Sequence, residues 1–164
     1  MRQKTKGKKE HMIRSFGNAD LGSLHRMICD TIDASYSGVY PVRAVQFFKE
    51  YHSAKRIMER SQVGEILIIE KGGSIVATGA LVGNEILGVF VKPDNQGQGY
   101  GKTIMSELES RAKAKGLSEV VLSVSLPSRK FYKNLEYEVL AECSLDVGEG
   151  QHLNYCPGKK TLTS

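Results

Sequence analysis

Glu85-Ile-Leu-Gly-Val-Phe-Val-Lys-Pro-Asp-Asn-Gln-Gly-Gln-Gly-Tyr-Gly-Lys-Thr103 is the stretch around which the chain is organised. The apolar run Ile86 to Val91 reads as a buried strand, Pro93-Asp94-Asn95 as a turn, and Gly97, Gly99 and Gly101 as a loop opening a helix. A strand, glycine loop and helix in that order aim unpaired backbone N–H groups at an anion. The first helical turn has four donors without intrahelical partners, and the helix dipole adds roughly half a positive charge there. The segment therefore predicts a phosphate or pyrophosphate site. Two such loops fail on spacing. A Walker A loop needs glycine where Gln96 stands, and the dinucleotide fingerprint needs its third glycine where Lys102 stands.

Outward from this stretch, Ile104, Met105, Leu108 and Ala112 form the apolar stripe of a helix that runs to Lys115 and stops at Gly116. Glu107 with Arg111, and Glu109 with Lys113, are favourable i,i+4 pairs on it. A strand over 120–126, a short helix over 128–135 and two last strands, 137–141 and 153–156, follow. Upstream, Lys71-Gly72-Gly73-Ser74 and Gly83-Asn84 join three consecutive strands as hairpins. Gly88 inside the organising strand predicts a bulge. Residues 12–16 read as a first strand, Asp20 as the cap of a helix carrying Leu21, Leu24, Met27, Ile28 and Ile32, and 42–51 and 54–60 as helices broken near His52. The fold class is α/β: one domain, a mixed sheet of about seven strands with helices on both faces.

Length and charge agree with one domain. The chain has 164 residues, 40% hydrophobic and 25% charged, and net charge +5. Five of the basic residues (Arg2, Lys4, Lys6, Lys8, Lys9) precede Glu10; without this segment 18 basic residues face 17 acidic ones. The basic charge thus belongs to a tail, residues 1–11, expected to be disordered, and the domain over 12–164 is nearly neutral. No nucleic-acid role follows from so local a charge, and no apolar window is long enough to span a membrane. Cys29, Cys143 and Cys156 form neither a metal nor a disulfide pattern, which fits a reduced, cytoplasmic setting with no metal.

Gln96-x-x-Gly99-x-Gly101, with Val91-Lys92-Pro93 upstream, resembles the acyl-CoA-binding motif of the GCN5-related N-acetyltransferase (GNAT) superfamily. The resemblance widens to about residues 12–160. Element order is similar, and Phe131-Tyr132 with Leu135 matches the family's second signature. Glu136 stands where that signature usually has glycine, and Ser125 where an asparagine often contacts pantetheine. The resemblance implies a mostly antiparallel sheet whose fourth and fifth strands splay apart, and acetyl-CoA as cosubstrate. It implies a cofactor site made from the backbone of Val89, Phe90 and Val91 and from Gln96, Gly97, Gln98, Gly99, Tyr100, Gly101, Lys102 and Thr103, with Ser125 and Tyr132.

The implied reaction is direct transfer of an acetyl group to a primary amine, of a small molecule or a protein, in a ternary complex. Tyr132 is the expected acid for the leaving thiolate, since a phenol of ordinary pKa ~10 is protonated at neutral pH. Glu85, eleven residues before Gln96, is the expected base. The bacterial ribosomal-protein acetyltransferases place a glutamate where this chain has Val120, which argues against that particular activity. Tyr36, Tyr40 and His52 lie in the segment that covers the acceptor in relatives; orienting an amine and merely packing are both open to them. Two other classes stay open: a CoA-binding regulatory module without turnover, and, far behind, a P-loop nucleotidase. The expected state is monomer or homodimer.

Overall fold

Two-residue periodicity sets the sheet. Along Ile66, Leu67, Ile68 and Ile69 all four side chains are buried, but alternately: Leu67 and Ile69 enter one apolar cluster, Ile66 and Ile68 the other. A strand buried on both faces needs helices above and below, and the chain supplies them. The structure, a computed structural model, describes residues 11–163; the basic tail expected over residues 1–11 lies outside the described residues but for His11.

Strand β1 (His11–Ser15) is followed by α1 (Leu21–Tyr36), α2 (Val42–Tyr51) and α3 (Ala54–Val63). Then come β2 (Glu65–Lys71), β3 (Ser74–Val82), β4 (Glu85–Val91), α4 (Tyr100–Ala114), β5 (Glu119–Ser125), α5 (Arg129–Asn134), β6 (Glu138–Val139), β7 (Cys143–Gly148) and β8 (Gln151–Thr161). The sheet order is β1-β2-β3-β4-β5-β8-β6, with β7 also paired to β8. All pairings are antiparallel except β4 with β5. Helices α4 and α5 cover one face with Ile104, Met105, Leu108 and Tyr132, while α1 to α3 cover the other with Leu24, Ile28, Ala44 and Ile57.

The sheet has eight strands rather than about seven. The added one is β7, the first arm of a hairpin closed at Glu149-Gly150. Its side chains are exposed apart from Val147, so no apolar run announces it. β8 is far longer than its apolar core because it crosses Pro157. The Pro157 carbonyl accepts from Leu140 N–H at 2.8 Å. Its nitrogen points to the same edge, facing exposed Leu140 just past the end of β6, so the missing donor falls at the edge of the sheet.

Side chains also depart from the local expectation in two places. Asp20 does not cap α1: its carboxylate accepts from Gly17 N–H (2.8 Å) and from both terminal nitrogens of Arg14 (2.7 and 2.8 Å). Glu107 meets Arg111 at 3.1 Å as expected, but Glu109 turns to Lys160 Nζ (2.8 Å) and the Tyr137 hydroxyl (3.0 Å), fastening α4 to β8.

Two close approaches set α4 on the sheet. A Cβ at Gly79 would lie 2.5 Å from Ile104 Cγ2 and 3.0 Å from Leu108 Cδ1, so the missing side chain on β3 lets the helix down onto the strand. A Cβ at Gly101 would lie 3.1 Å from Phe131, so the last loop glycine is a packing position between α4 and α5. Through these contacts the N-terminus of α4 takes its place at the end of β4.

Candidate active site

The parallel pair β4–β5 is joined at one register position, Glu85 opposite Val121, with Val121 N–H donating to Asn84 O at 3.0 Å. Beyond Glu85 the strands part. On the other side of β4 the register to β3 shifts between Thr78 and Ala80, so that Gly88 and Val89 share the space of one residue. Gly88 has φ +62, the left-handed conformation that glycine adopts without strain. This is the bulge expected from the sequence. Lys92 N–H donates to Val76 O on β3 (2.8 Å), so the polar groups of Val91 face the opposite way, into the parting. The Val91 carbonyl is taken there by the Gln96 side-chain amide at 3.0 Å, which leaves the Val91 N–H on the cleft side. Gln96 thus works as a brace of the loop.

The helix α4 starts at Tyr100, four residues before its apolar stripe, with Gly99 as N-cap at φ +88. The first helical donor with a backbone acceptor is Thr103 N–H, on Gly99 O at 3.0 Å. Among the described residues, the N–H groups of Gly97, Gln98, Gly99, Gly101 and Lys102 have no backbone acceptor. Gly97 and Gly99 both have positive φ, and nothing lies within 4 Å of where their Cβ atoms would be. Several convergent donors at a helix N-terminus, with open space before them, fit a pyrophosphate.

This loop borders a cavity of about 740 Å³ lined also by Val89, Phe90, Val91, Gln96 and Tyr132. A second cavity, about 250 Å³, opens on the other side of the parted strands and is lined by Glu85, Gly88, His52, Ser125 and Tyr132 among others. Tyr36, Val89, Phe90, Ser128 and Tyr132 line both. These five residues form a shared wall between the two cavities.

Tyr132 is buried against Phe131 and Tyr137, ring centroids 5.0 and 5.7 Å away. Burial raises its phenol above the ordinary value, with a further push from Tyr36. Among the described residues its hydroxyl makes no hydrogen bond, so it is a protonated donor available to the shared wall. Tyr36, at the end of α1, points its hydroxyl to Ser125 Oγ at 3.2 Å, and Ser125 Oγ meets Ser128 Oγ at 2.7 Å. Ser125 lines the smaller cavity and not the larger one.

Tyr40 lies in neither cavity. Its hydroxyl donates to Asn154 O and accepts from Leu126 N–H, both at 2.9 Å, tying the α1–α2 connection to the ends of β5 and β8. Burial pushes its pKa up to about 12. Gln98 and Thr103 point outward from the loop: the Thr103 hydroxyl donates to Gly99 O at 3.0 Å, and both residues are exposed.

His52 ends α2 and is buried, its ring edge-on to Phe90 at 5.0 Å. Its Nδ1 lies 3.2 Å from Arg60 Nη1. A guanidinium only donates, so Nδ1 accepts and the ring proton sits on Nε2. Burial, and then the Arg60 charge, push its pKa down to about 3, so His52 is neutral at neutral pH. Arg60 itself is buried and makes no ion pair among the described residues; Nη2 donates to Tyr51 O at 3.3 Å and the guanidinium stands over the Tyr51 ring. Sequence reasoning missed Arg60 and the aromatic residues of α2, Phe47, Phe48 and Tyr51. Their i, i+1, i+4 spacing marks only an apolar helix face.

The family model described as "Acetyltransferase (GNAT) family" matches residues 26–137, more than half of the chain. Comparison with curated protein sequences finds no significant match. Among solved structures, the chain is similar to a GCN5-related N-acetyltransferase from Rhodopseudomonas palustris (20% identity over 92% of this chain and 95% of that one, TM-score 0.83). It is also similar to the PaiA N-acetyltransferase from Thermoplasma acidophilum in complex with coenzyme A (22%, 92% and 98%, TM-score 0.74). A third similar structure is a ribosomal-protein-alanine N-acetyltransferase from Brucella melitensis (18%, 92% and 99%, TM-score 0.71). At these identities the structures speak for the fold, and the family model, matched across the glycine loop and Tyr132, speaks for membership. The chain belongs to the GNAT acetyltransferase family.

Proposed function

We propose that the protein transfers an acetyl group from acetyl-CoA to a primary amine, by direct attack of the amine held in the smaller cavity. The observation that carries this reading is the shared wall: two cavities meet where β4 and β5 part, and Tyr132 lines both. Acetyl-CoA, when bound, supplies the acetyl group as an activated thioester. The donors of Gly97, Gln98, Gly99, Gly101 and Lys102 would hold its pyrophosphate, and the Val91 N–H faces the parting, where an acyl oxygen would be polarised. Tyr132 would give a hydrogen bond to the leaving sulfur. Glu85, half-buried at the mouth of the smaller cavity, would accept the ammonium proton, directly or through water. The reduced cysteines fit a cytoplasmic setting. Among the described residues no helix is long and apolar enough to cross a membrane.

The test is thiol release from acetyl-CoA across a panel of amines, with the product identified by mass. Gly99→Val is the control. A β-branched residue at φ +88 is strained and carries bulk into the open space before the donors, so acetyl-CoA binding should be lost while the fold remains. Acetyl-CoA at about 100 times its Kd should stabilise the natural chain by ~2.7 kcal/mol, and magnesium-ATP should not. Binding without turnover of any amine would turn the reading to a CoA-responsive module.

A further inference from the structure

We infer that the acceptor is a small primary amine with an apolar, ring-bearing body and no carboxylate, bound with its ammonium at Glu85 and its body against the aromatic face of α2. The inference rests on the transfer reading above and deepens it.

Charge gives the first half. Among the described residues lining the smaller cavity, Glu85 is the one carboxylate and there is no lysine or arginine; His52 is neutral. Arg60 does not reach the lining. It sits under Gly88, where an added Cβ would meet its Nη1 at 3.1 Å, and behind His52 and Tyr51, to which its hydrogen bonds go. A carboxylate here favours a ligand with one positive charge; a second carboxylate would be repelled by Glu85 and would face the Arg60 charge only across Gly88 and the His52 ring.

Shape and surface give the second half. The far wall is Phe47, Phe48, Tyr51 and Tyr155, with Leu145 and Leu153 from the β7–β8 hairpin. Phe47 and Tyr51 stack at 6.2 Å with planes 15° apart, and Phe48 packs on Tyr36 at 4.6 Å, so the wall is held by its own contacts. Tyr51 and Leu145 are each 39% exposed, apolar surface at the rim for a ligand to cover. A ring presented to this wall gains apolar contact, and its attached ammonium can be shared between Glu85 and the aromatic faces. The cavity, about 250 Å³, has room for one ring and a short chain against this wall.

The experiment compares 2-phenylethylamine, phenylalanine, propylamine and an alanine-initiated tetrapeptide, by calorimetry on the CoA-saturated protein and by thiol release with acetyl-CoA. Phenylethylamine and phenylalanine differ only in the carboxylate. Phenylethylamine should bind at least tenfold more tightly than each of the others, and Glu85→Gln should remove most of that advantage while CoA affinity stays within threefold. Phe48→Ala should weaken phenylethylamine more than propylamine. Equal or tighter binding of phenylalanine would overturn the inference and make Arg60 the carboxylate partner; equal or tighter binding of the tetrapeptide or propylamine would overturn it as well. Selective binding without thiol release supports the inference and refutes the transfer reading. CoA binding with no amine bound refutes the inference and leaves the cofactor site standing.

Discussion

Replacing Tyr132 by phenylalanine separates chemistry from packing, because the structure gives the hydroxyl nothing to hold. The ring is wedged between Phe131 and Tyr137, and among the described residues the hydroxyl has no hydrogen-bond partner. Tyr132→Phe keeps the ring and breaks no internal hydrogen bond, so stability should change by at most ~1 kcal/mol. For a chain of this length that is a shift of about 2–4 °C in Tm. The effect on transfer should be larger. A tenfold loss is ~1.4 kcal/mol, and a donor aimed at charge that develops only in the transition state reaches ~2.7–4 kcal/mol when the charge is an oxyanion. A thiolate is a more stable leaving group, so a loss of 10- to 100-fold in kcat is expected, with the acetyl-CoA Kd within about threefold. The pH dependence adds a second check. Burial holds the phenol above its ordinary value of ~10, so it stays protonated through neutral and mildly alkaline pH. The ratio of wild-type to variant kcat should therefore be flat between pH 6 and 9. The assay is pre-steady-state thiol release with the best amine of the panel. Turnover within twofold of wild type when chemistry limits the rate, or a ratio that changes with pH in that window, would refute the role.

The other predictions concern the frame of the site. Gly79→Ala should cost ~1–3 kcal/mol in urea unfolding, because its Cβ would meet Ile104 at 2.5 Å, and it should cost clearly less in an Ile104→Ala background, where that methyl is gone; additive costs would contradict the contact. Glu136→Gly should raise stability by about 0.5–1 kcal/mol, since Glu136 is exposed and holds φ +70 after α5; an unchanged or lower Tm would count against strain at that turn. Asp20→Asn should lower the Tm near neutral pH and matter progressively less in acid. The Arg14 hydrogen bonds, against some desolvation, hold the Asp20 carboxyl below the usual carboxylate value. Its contribution is thus present above the unfolded pKa of ~3.9 and is lost as pH falls through the lower folded value. A Tm difference that does not shrink between pH 6 and 2 would contradict this.

What the sequence determined by itself is what contiguous residues decide. The strand, glycine loop and helix of 85–103, the two hairpins at Gly72-Gly73 and Gly83-Asn84, the bulge at Gly88 and the stop at Gly116 are each set within a few residues by backbone sterics and hydrogen bonding. All were legible; the αL turn at Glu136 was not, because a glutamate stands where the family signature has the glycine that would announce it. Tertiary structure alone decided how residues distant in sequence meet. Tyr36 and Tyr40 look alike in the chain, yet one reaches the shared wall and the other spends its hydroxyl on Asn154 and Leu126. Ser125 lines the smaller cavity because β5 has already left β4 there. Arg60 and His52, eight residues apart on two helices, become a buried pair only when both pack beneath Gly88. Strand β7 exists because β8 offers it an edge, not because its own exposed residues demand burial. Local steric rules act over a few bonds, whereas burial, proton location and cavity shape depend on what the far end of the chain brings alongside.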